Sequence, residues 1–212
     1  MNHADMTVFI IDDDPAVRDS LTLMLEQAEL NVESFCSAQA FLDYYRPDMR
    51  GCSIVDINMQ EMDGIGLQET LKSRGIPLPI IFLTGHGDIP LSVKAVKAGA
   101  SDFLTKPVSR EKLLASIHSA LEEYQSLLAK RETNRCCQSL LAALTERERE
   151  VMWLALDGQT NKQIARHLGI SHRTVEIHKA RVMQKAEASN LLELARIARN
   201  AALLNGQESL SV

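Results

Sequence analysis

The sequence predicts an α/β domain with a doubly wound, five-stranded parallel sheet, followed by a smaller all-α domain. Three observations support this prediction. Short apolar runs alternate with helical patterns up to about residue 125, no strand pattern follows, and the charge changes sign between the two parts. Residues 1–124 hold 10 Lys and Arg against 19 Asp and Glu, whereas residues 125–212 hold 13 against 9. This asymmetry indicates separate tasks for the two parts, with a polyanion as the partner of the second.

The first part of the chain consists of five predicted β/α units. Its strand candidates are 7–11, 31–35, 52–56, 79–83 and 102–105, and its helix candidates are 15–28, 38–45, 65–74, 89–98 and 110–128. Pro15 suits a first helical turn, and Gly75 and Gly99 follow helix ends, where a left-handed residue is favoured. Right-handed crossovers place the carboxyl ends of all five parallel strands at one edge of the sheet, where such folds bind ligands.

The second part contains four predicted helices, at 146–156, 161–167, 172–186 and 191–204. Thr145 and Glu148 match a capping box, Asn190 and Glu193 match a looser one, and Ser171 suits an N-cap. The tight turn at 168–171 joins the second and third helices, which predicts a helix-turn-helix. We therefore expect a first domain at 1–125, a helical linker at 126–143, a helix-turn-helix domain at 144–205 and a disordered tail at 206–212.

Neither a signal peptide nor a membrane span is expected from the sequence. Residues 1–5 are polar, and the apolar run at 8–11 is too short for a signal sequence. No apolar stretch approaches the ~20 residues that cross a bilayer. We therefore predict a cytoplasmic protein with no membrane partner.

Polar residues stand at the ends of four predicted strands, at the shared edge of the sheet. They are Asp12 and Asp13 after the first strand, Asp56 at the third, Thr84 at the fourth and Lys106 at the fifth. Three acids, a hydroxyl and an ammonium in one place can hold a divalent cation and a phosphoryl group. Each residue alone also has a structural explanation, such as a helix cap or a surface charge, so the prediction depends on their occurring together.

The predicted cation is Mg2+, which prefers oxygen ligands and usually keeps several waters. Asp13 and Asp56 would supply carboxylates, Asp12 would orient a water, and the backbone carbonyl of Asn58 would complete the set. A carboxylate at a strand end can also act as a nucleophile towards phosphorus. Lys106 would then neutralise the side of the phosphoryl group that the metal does not reach.

Residues 7–125 resemble the receiver domain of bacterial two-component response regulators, which has a flavodoxin-like fold. The matching residues are Asp12, Asp13, Asp56, Thr84, Phe103, and Lys106 with Pro107. The resemblance implies that a cognate sensor histidine kinase phosphorylates Asp56. It also implies that Thr84 moves to the phosphoryl group, that the switch aromatic Phe103 turns inward, and that two receivers then form a homodimer.

One residue near the predicted phosphoacceptor departs from the pattern of that family. Gln60 stands where the family usually has proline. Because proline fixes φ, glutamine predicts a looser loop beside Asp56 and leaves the lifetime of the phosphorylated state open.

The helix predicted over 172–186 has the properties of a DNA recognition helix. Val175, His178, Val182 and Ala186 recur at helical spacing and form its predicted buried face. The opposite face suits a major groove. The residues expected to contact DNA are Thr160, Asn161, Lys162, Arg173, Thr174, Glu176, Ile177, Lys179, Ala180, Arg181 and Lys185.

Some of these residues are expected to contact bases and others phosphates. Arg181 would bind guanine, Ile177 would contact a thymine methyl group, and Glu176 would accept a hydrogen bond from cytosine. Thr160, Lys162, Lys179 and Lys185 are the candidates for phosphates. The residues alone leave a helical bundle with a solvated basic surface open as an alternative.

The stretches 144–151, 161–165 and 174–178 resemble the LuxR-type DNA-binding domain, in the form found in FixJ-like regulators. The resemblance spans about 144–204 and implies a double-stranded DNA operator with two half-sites, and activation through RNA polymerase. Ala186 stands where a large apolar residue is usual, which predicts a looser helix end. Ser189 replaces a common Lys or Arg, which predicts one fewer phosphate contact.

These observations predict a DNA-binding transcriptional response regulator switched by phosphorylation at Asp56. It would not be an enzyme, although it would slowly hydrolyse its own phosphoryl group. Two alternatives stay open. A Mg2+-dependent aspartyl phosphohydrolase usually has a second acid two residues after its nucleophile, where this chain has Asn58. A constitutively active DNA-binding protein would use the receiver as a scaffold only, and the complete five-part site argues against it.

Overall fold

The computed structural model describes residues 6–85 and 99–202. The chain divides into two compact units, Met1–Leu127 and Leu128–Val212. The helix predicted at 89–98 and the tail at 206–212 lie outside the described residues. The finer division into receiver, linker and DNA-binding domain stays a prediction.

The described part of the first unit contains a five-stranded parallel sheet. Its strands are β1 (Thr7–Ile11), β2 (Asn31–Phe35), β3 (Gly51–Asp56), β4 (Ile80–Thr84) and β5 (Asp102–Thr105). Their order is β2-β1-β3-β4-β5, and every neighbouring pair is parallel. The predicted fold class is thus confirmed. The register pairs Asp56 with Leu83 and Thr84 with Thr105, so the strands end at one level of the sheet.

Helices of this unit begin where the sequence provides caps. They are α1 (Pro15–Glu26), α2 (Ala38–Tyr44) and α3 (Gly64–Ser73), and α4 (Arg110–Ala142) begins in this unit and ends in the second. The side chains of Asp14, Ser37 and Asp63 accept hydrogen bonds from the first turns of α1, α2 and α3. The predicted helix 15–28 ends earlier, because Glu29 is left-handed and the N–H of Leu30 returns to the carbonyl of Leu25.

Helix α4 is continuous through the segment that was predicted to be a helical linker. The sequence pattern predicted a helix at 110–128 and a helical linker at 126–143, and the helix continues to Ala142. No glycine or proline interrupts residues 129–142, so nothing in the local sequence terminates it.

Aromatic and branched side chains fill the core between the sheet and α2 and α3. Phe9, Phe41 and Phe82 are fully buried there, and the rings of Phe9 and Phe41 lie 5.5 Å apart. This packing holds the sheet that carries the polar strand ends.

The second unit contains α5 (Glu146–Leu156), α6 (Asn161–Leu168), α7 (His172–Lys185) and α8 (Leu191–Ala202). The predicted capping box of Thr145 and Glu148 is present, and Ser171 caps α7 as predicted. Gly169 ends α6 with φ of 65°, the left-handed region in which glycine is favoured.

Two capping details of the second unit differ from the prediction. Thr160 and Gln163 form a second capping box, which sequence reasoning missed although the Thr-x-x-Gln spacing signals it. Asn190 accepts from the N–H of Glu193, but the Glu193 carboxylate binds the N–H of Ser189, one residue before the expected partner.

A bilayer-spanning helix is absent from the described ranges 6–85 and 99–202, where no helix combines the length and apolar character required.

Candidate phosphoryl site and candidate DNA interface

Three carboxylates meet at the carboxyl edge of the sheet. Asp12 and Asp13 directly follow β1, and Asp56 is the last residue of β3, the neighbouring strand. One carboxylate oxygen from each lies within 4.8 Å of those of the other two. Asp12 and Asp56 are 1% and 7% exposed, whereas Asp13 is exposed. The structure therefore brings the three predicted acids together, with one side open to solvent.

Lys106 reaches this cluster from the end of β5. Its ammonium lies 2.6 Å from Oδ2 of Asp12 and 3.1 Å from Oδ1 of Asp56. The backbone N–H of Lys106 donates to the carbonyl of Thr84 at 2.7 Å, and the peptide bond to Pro107 is cis. One cation thus contacts two of the three carboxylates.

The charges at this site are only partly compensated. Burial raises the pKa of the Asp56 carboxyl, Lys106 opposes that shift, and the charges of Asp12 and Asp13 raise the pKa further. Burial by itself would lower the pKa of Lys106, but hydrogen bonds and attraction to Asp12 and Asp56 raise it overall. Ionising Asp56 is therefore costly, and an added cation would relieve that cost.

The donor set fits Mg2+. Its candidate ligands are all hard carboxylate oxygens, close enough together to share one ion, with an exposed side left for water. Asp12, Asp13 and Asp56 would hold the ion. Asn58, the fourth predicted ligand, lies exposed two residues beyond Asp56.

Thr84 and Phe103 lie on the two strands beyond Asp56. The buried Thr84 hydroxyl donates to the carbonyl of Gly85 at 3.1 Å. Phe103 is half-buried and packs against the core of the sheet. Asp102 accepts from the N–H of Phe103 at 2.7 Å and from the hydroxyl of Ser116 on α4. Sequence reasoning missed this support for Phe103, because the spacing of Asp102 and Ser116 gives no signal.

The loop after Asp56 approaches the sheet closely at one glycine. A Cβ on Gly64 would lie 2.7 Å from the carbonyl oxygen of Asp56 and 3.0 Å from the ring of Phe82. Only glycine lets α3 begin this close to β3. Sequence reasoning missed this requirement, although the Asp63-Gly64 pair at a helix start was available as a signal.

Gln60 and Glu61 form a turn in the same loop. The N–H of Met62 donates to the carbonyl of Gln60 at 2.8 Å, and Glu61 between them has φ of 63°. A positive φ is unfavourable for a residue with a side chain. The looser loop expected from Gln60 stays a prediction.

Helix α7 presents two contrasting faces. Val175, Val182 and Ala186 are buried, and His178 is half-buried with a buried Nδ1 for which the described chain offers no hydrogen-bond partner. The predicted inner face is therefore largely correct. The opposite face is exposed and consists of Arg173, Glu176, Ile177, Ala180, Arg181 and Gln184.

Several other residues predicted to contact DNA already have partners inside the domain. Lys179 donates to Oδ1 of Asn161 at 3.0 Å. Thr160 bonds Gln163 in its capping box, and the Thr174 hydroxyl lies 2.8 Å from that of Ser171. The first contact joins α7 to the start of α6, the second caps α6, and the third lies at the start of α7. Lys162 is exposed at the start of α6.

Lys185, another predicted phosphate contact, also has partners inside the domain. Its ammonium lies 2.7 Å from the carboxylate of Glu148 and 3.2 Å from the carbonyl of Ala143. Glu148 is 2% exposed, and the Lys185 hydrogen bond, with that of the Thr145 N–H, lowers its pKa to about 2. The structure thus gives Lys185 an internal partner, and its contact to phosphate stays a prediction.

Comparison with known proteins gives the same two units. Residues 8–118 match the response regulator receiver domain, and residues 142–198 match the bacterial regulatory proteins of the luxR family. The transcriptional regulatory protein FixJ of Bradyrhizobium diazoefficiens is 42% identical over 198 residues, which cover 93% of this chain and 97% of FixJ. The response regulator protein TodT of Pseudomonas putida is 40% identical over 201 residues, covering 93% and 87%.

A solved structure is similar over almost the same extent. The response regulator StyR has a TM-score of 0.83 at 41% identity, over 92% of this chain and 98% of that one. The chain belongs to the FixJ-like response regulators. These proteins join a receiver domain to a LuxR-type DNA-binding domain and regulate transcription under the control of phosphorylation. The predicted family, fold and general function are thereby confirmed.

Proposed function

We propose that Asp56 is the phosphoacceptor and that a cognate sensor histidine kinase supplies its phosphoryl group. The observation that supports this is the cluster of three carboxylates within 4.8 Å, two of them bound by Lys106. In the transfer, the bond between phosphorus and the kinase histidine breaks, and a bond to a carboxylate oxygen of Asp56 forms. Later attack by water on phosphorus restores the carboxylate, so the protein slowly hydrolyses its own phosphoryl group without being an enzyme for another substrate.

The charged residues around Asp56 divide the stabilisation of the phosphoryl group between them. Asp12, Asp13, Asp56 and the carbonyl of Asn58 would hold Mg2+, which supplies positive charge to the phosphoryl oxygens when bound. Lys106 already contacts Asp56, so its ammonium needs little movement to bind a phosphoryl oxygen. Positioning of this kind is most of what phosphoryl transfer requires.

The switch would begin at Thr84. Its hydroxyl donates to the carbonyl of Gly85 within the described residues, and it can exchange that partner for a phosphoryl oxygen. Phe103, half-buried at the edge of the core, would turn into the space that Thr84 leaves. Phosphorylation then shifts the population towards a receiver that forms a homodimer.

The dimer would place two DNA-binding domains on two operator half-sites. The exposed face of α7 would enter the major groove, with Arg181, Ile177 and Glu176 at base edges. Lys162, which is exposed, would bind phosphate, and Arg173 would assist at the start of α7. We further propose that the protein acts in the cytoplasm and activates transcription through RNA polymerase.

Phosphorylation of the full-length chain by acetyl phosphate with Mg2+ tests the first step. Intact-mass measurement should show one added phosphoryl group on the wild type and on Asp48→Asn, a matched loss of an exposed carboxylate. It should show none on Asp56→Asn, since no other carboxylate occupies that strand end. A phosphoryl group retained by Asp56→Asn would refute the assignment.

Binding to a DNA duplex enriched by the phosphorylated wild type from a random-sequence library tests the switch. Phosphorylated protein should bind more tightly than unphosphorylated protein. Equal affinities would favour the constitutively active alternative. Arg181→Ala should weaken binding by about tenfold, the loss of one good base contact. Arg166→Ala, an equal change of charge at an exposed α6 position, should weaken it much less.

A further inference from the structure

Two adjacent residues of α5 contact the ends of both helices of the helix-turn-helix. Nη2 of Arg147 donates to the carbonyl of Leu168, the last residue of α6, at 2.5 Å. The carboxylate of Glu148 lies 2.7 Å from the ammonium of Lys185, the last residue of α7. Both residues belong to the stretch 144–151, which resembles the LuxR-type domain. That resemblance does not by itself assign a role to either residue.

Arg147 and Glu148 each have a second partner at or near the start of α5. Arg147 also pairs with Glu150 at 2.6 Å, which fixes its guanidinium along the helix. Glu148 accepts from the N–H of Thr145 at 2.9 Å and is almost completely buried. Its carboxylate therefore has few alternative positions. The carbonyl of Leu168 is one that the helix leaves without an internal partner, so Arg147 satisfies a real requirement.

The position of α7 depends on these contacts. Lys185 also donates to the carbonyl of Ala143, so its ammonium ties the end of α7 to two segments at once. A helix held at its end by a buried charge and along its inner face by Val175 and Val182 has little freedom to rotate or slide. The base-contacting face of α7 is oriented as a consequence.

We propose that Arg147 and Glu148 are positioning residues for DNA recognition, Arg147 at the end of α6 and Glu148 at the end of α7, and that Lys185 is the anchor of Glu148 on α7 rather than a contact to phosphate. The inference rests on the proposed function in one respect, that the exposed face of α7 meets the bases. It predicts that removing the Glu148 charge weakens specific DNA binding.

The sign of that effect separates positioning from electrostatics. Removing an acidic residue from a DNA-binding domain raises its affinity for any duplex, because repulsion from the phosphates falls. If Glu148 positions α7, loss of its charge lowers the affinity for the specific duplex and leaves the affinity for a non-specific duplex unchanged. A Lys185 that contacted phosphate would instead affect both duplexes and lower the salt dependence by about one counterion.

The experiment uses the full-length phosphorylated chain, the duplex enriched by the wild type, and a mixed-sequence duplex of the same length. Glu148→Gln keeps the capping-box acceptor but loses the charge. Glu146→Gln, an exposed residue of the same helix, is the matched control. We expect Glu148→Gln to bind the enriched duplex about tenfold more weakly, the size of one lost base contact, and Glu146→Gln to bind as tightly as the wild type or more tightly.

A second variant guards against simple misfolding. The pair Glu148→Gln with Lys185→Met removes both charges and so avoids the strongly destabilising case, a buried charge left without its partner. We expect this variant to show wild-type binding to the mixed-sequence duplex with an unchanged salt slope, and weakened binding to the enriched one. Rescue by Lys185→Arg, which keeps the ion pair, would support positioning.

Three results would overturn the proposal. In the first, Glu148→Gln binds the enriched duplex as Glu146→Gln does. In the second, the double variant binds that duplex as the wild type does. In the third, the double variant binds both duplexes more weakly and with a smaller salt slope. Failure of the wild type to enrich any duplex would instead count against the proposed DNA interface, which keeps the two hypotheses distinguishable.

Discussion

Each unit of the molecule buries a carboxylate against a lysine, and the two carboxylates respond in opposite ways. In the receiver, Asp56 lies 3.1 Å from Lys106, yet its pKa is raised. In the DNA-binding domain, Glu148 lies 2.7 Å from Lys185, and its pKa falls to about 2. The ion pairs are alike in kind, so the difference comes from what else surrounds each carboxylate.

Glu148 has only favourable neighbours, whereas Asp56 shares its cation with a competitor. The Glu148 carboxylate receives the Lys185 ammonium and the Thr145 N–H. Lys106 is closer to Asp12 than to Asp56, and burial and two further acids oppose ionisation of Asp56. A fully compensated carboxylate stabilises a fold, whereas an under-compensated one gains from binding a cation or losing its charge to a phosphoryl bond.

Removal of each lysine should give the largest contrast between the two pairs. Lys185→Met leaves Glu148 buried without a cation, and we expect a loss of about 3 kcal/mol of unfolding free energy. Lys106→Met also leaves buried carboxylates, but Mg2+ can take the place of the ammonium there. Urea unfolding should therefore show that Mg2+ restores much of the stability of Lys106→Met and none of that of Lys185→Met.

The controls for this contrast lie within the chain. Lys130→Met, at an exposed position of α4, should change stability little. The single tryptophan, Trp153, lies in α5 and follows unfolding of the second unit by fluorescence. If Lys185→Met is as stable as Lys130→Met, or if Mg2+ rescues it, the two pairs do not differ as the structure indicates.

The dependence of stability on pH should have opposite signs at the two carboxylates. The pKa of Glu148 is lowered from 4.5, so its contribution to stability is complete above that value and is lost as the pH falls towards about 2. The pKa of Asp56 is raised above 3.8, so its contribution decreases as the pH rises from 3.8 through the folded-state value.

Urea midpoints across the acid range up to neutrality measure both signs. The stability deficit of Glu148→Gln relative to the wild type should shrink as the solution is acidified. The advantage of Asp56→Asn, followed by far-UV circular dichroism, should grow as the pH rises. If the urea midpoints of both variants vary with pH in parallel with those of the wild type, the pKa shifts assigned to Glu148 and Asp56 are wrong.

Neutralising Asp56 at the phosphoryl site should change the unfolding free energy less than removal of either lysine, and it should raise that free energy. Without Mg2+, Asp56→Asn removes a buried charge beside two others, and we expect a gain of about 1 kcal/mol, the repulsion of two unit charges about 4 Å apart in water. Asp48→Asn is the control for loss of an exposed charge. Added Mg2+ should stabilise the wild type more than Asp56→Asn. A destabilised variant without Mg2+ would show that Lys106 already compensates Asp56.

The sequence could bring the receiver residues together, but it could not reveal the internal partners of the residues predicted to contact DNA, for a physical reason. Parallel strands bring their carboxyl ends to one edge, so Asp12, Asp56 and Lys106 could be placed together from strand ends alone. No comparable rule predicts which residues elsewhere in the chain will contact the surface of a helix. The pairing of Lys185 with Glu148 was not foreseen, because the two residues lie 37 positions apart and no local pattern reveals it.

Helix limits show the same distinction between local and tertiary causes. Starts were predicted well because Asp14, Thr145 and Ser171 cap their helices within three residues. The continuation of α4 to Ala142 agrees with the predicted helical linker, since no glycine or proline interrupts that segment. The support of Phe103 by Asp102, in contrast, needs the tertiary structure.

The smallest expected effect compares two glutamates in the left-handed region. Glu187 ends α7 with φ of 53°, where the N–H of Ala188 returns to the carbonyl of Met183. Glu187→Gly should stabilise the second unit by about 0.5 kcal/mol, because relief of the Cβ clash exceeds the added flexibility of the unfolded chain. Glu187→Ala keeps the Cβ and should give no gain. A gain from alanine equal to that from glycine would exclude backbone strain as the cause.

Glu61 provides the matching test in the receiver, with φ of 63° in the loop after Asp56. If Gln60 leaves that loop loose, residue 61 is not held firmly in the left-handed region, and Glu61→Gly should gain less than Glu187→Gly. Equal gains in urea unfolding would show that the loop is as rigid as the end of α7. The predicted looseness beside the phosphoryl site would then be wrong, and the lifetime of the phosphorylated state would depend on the charges around Asp56 instead.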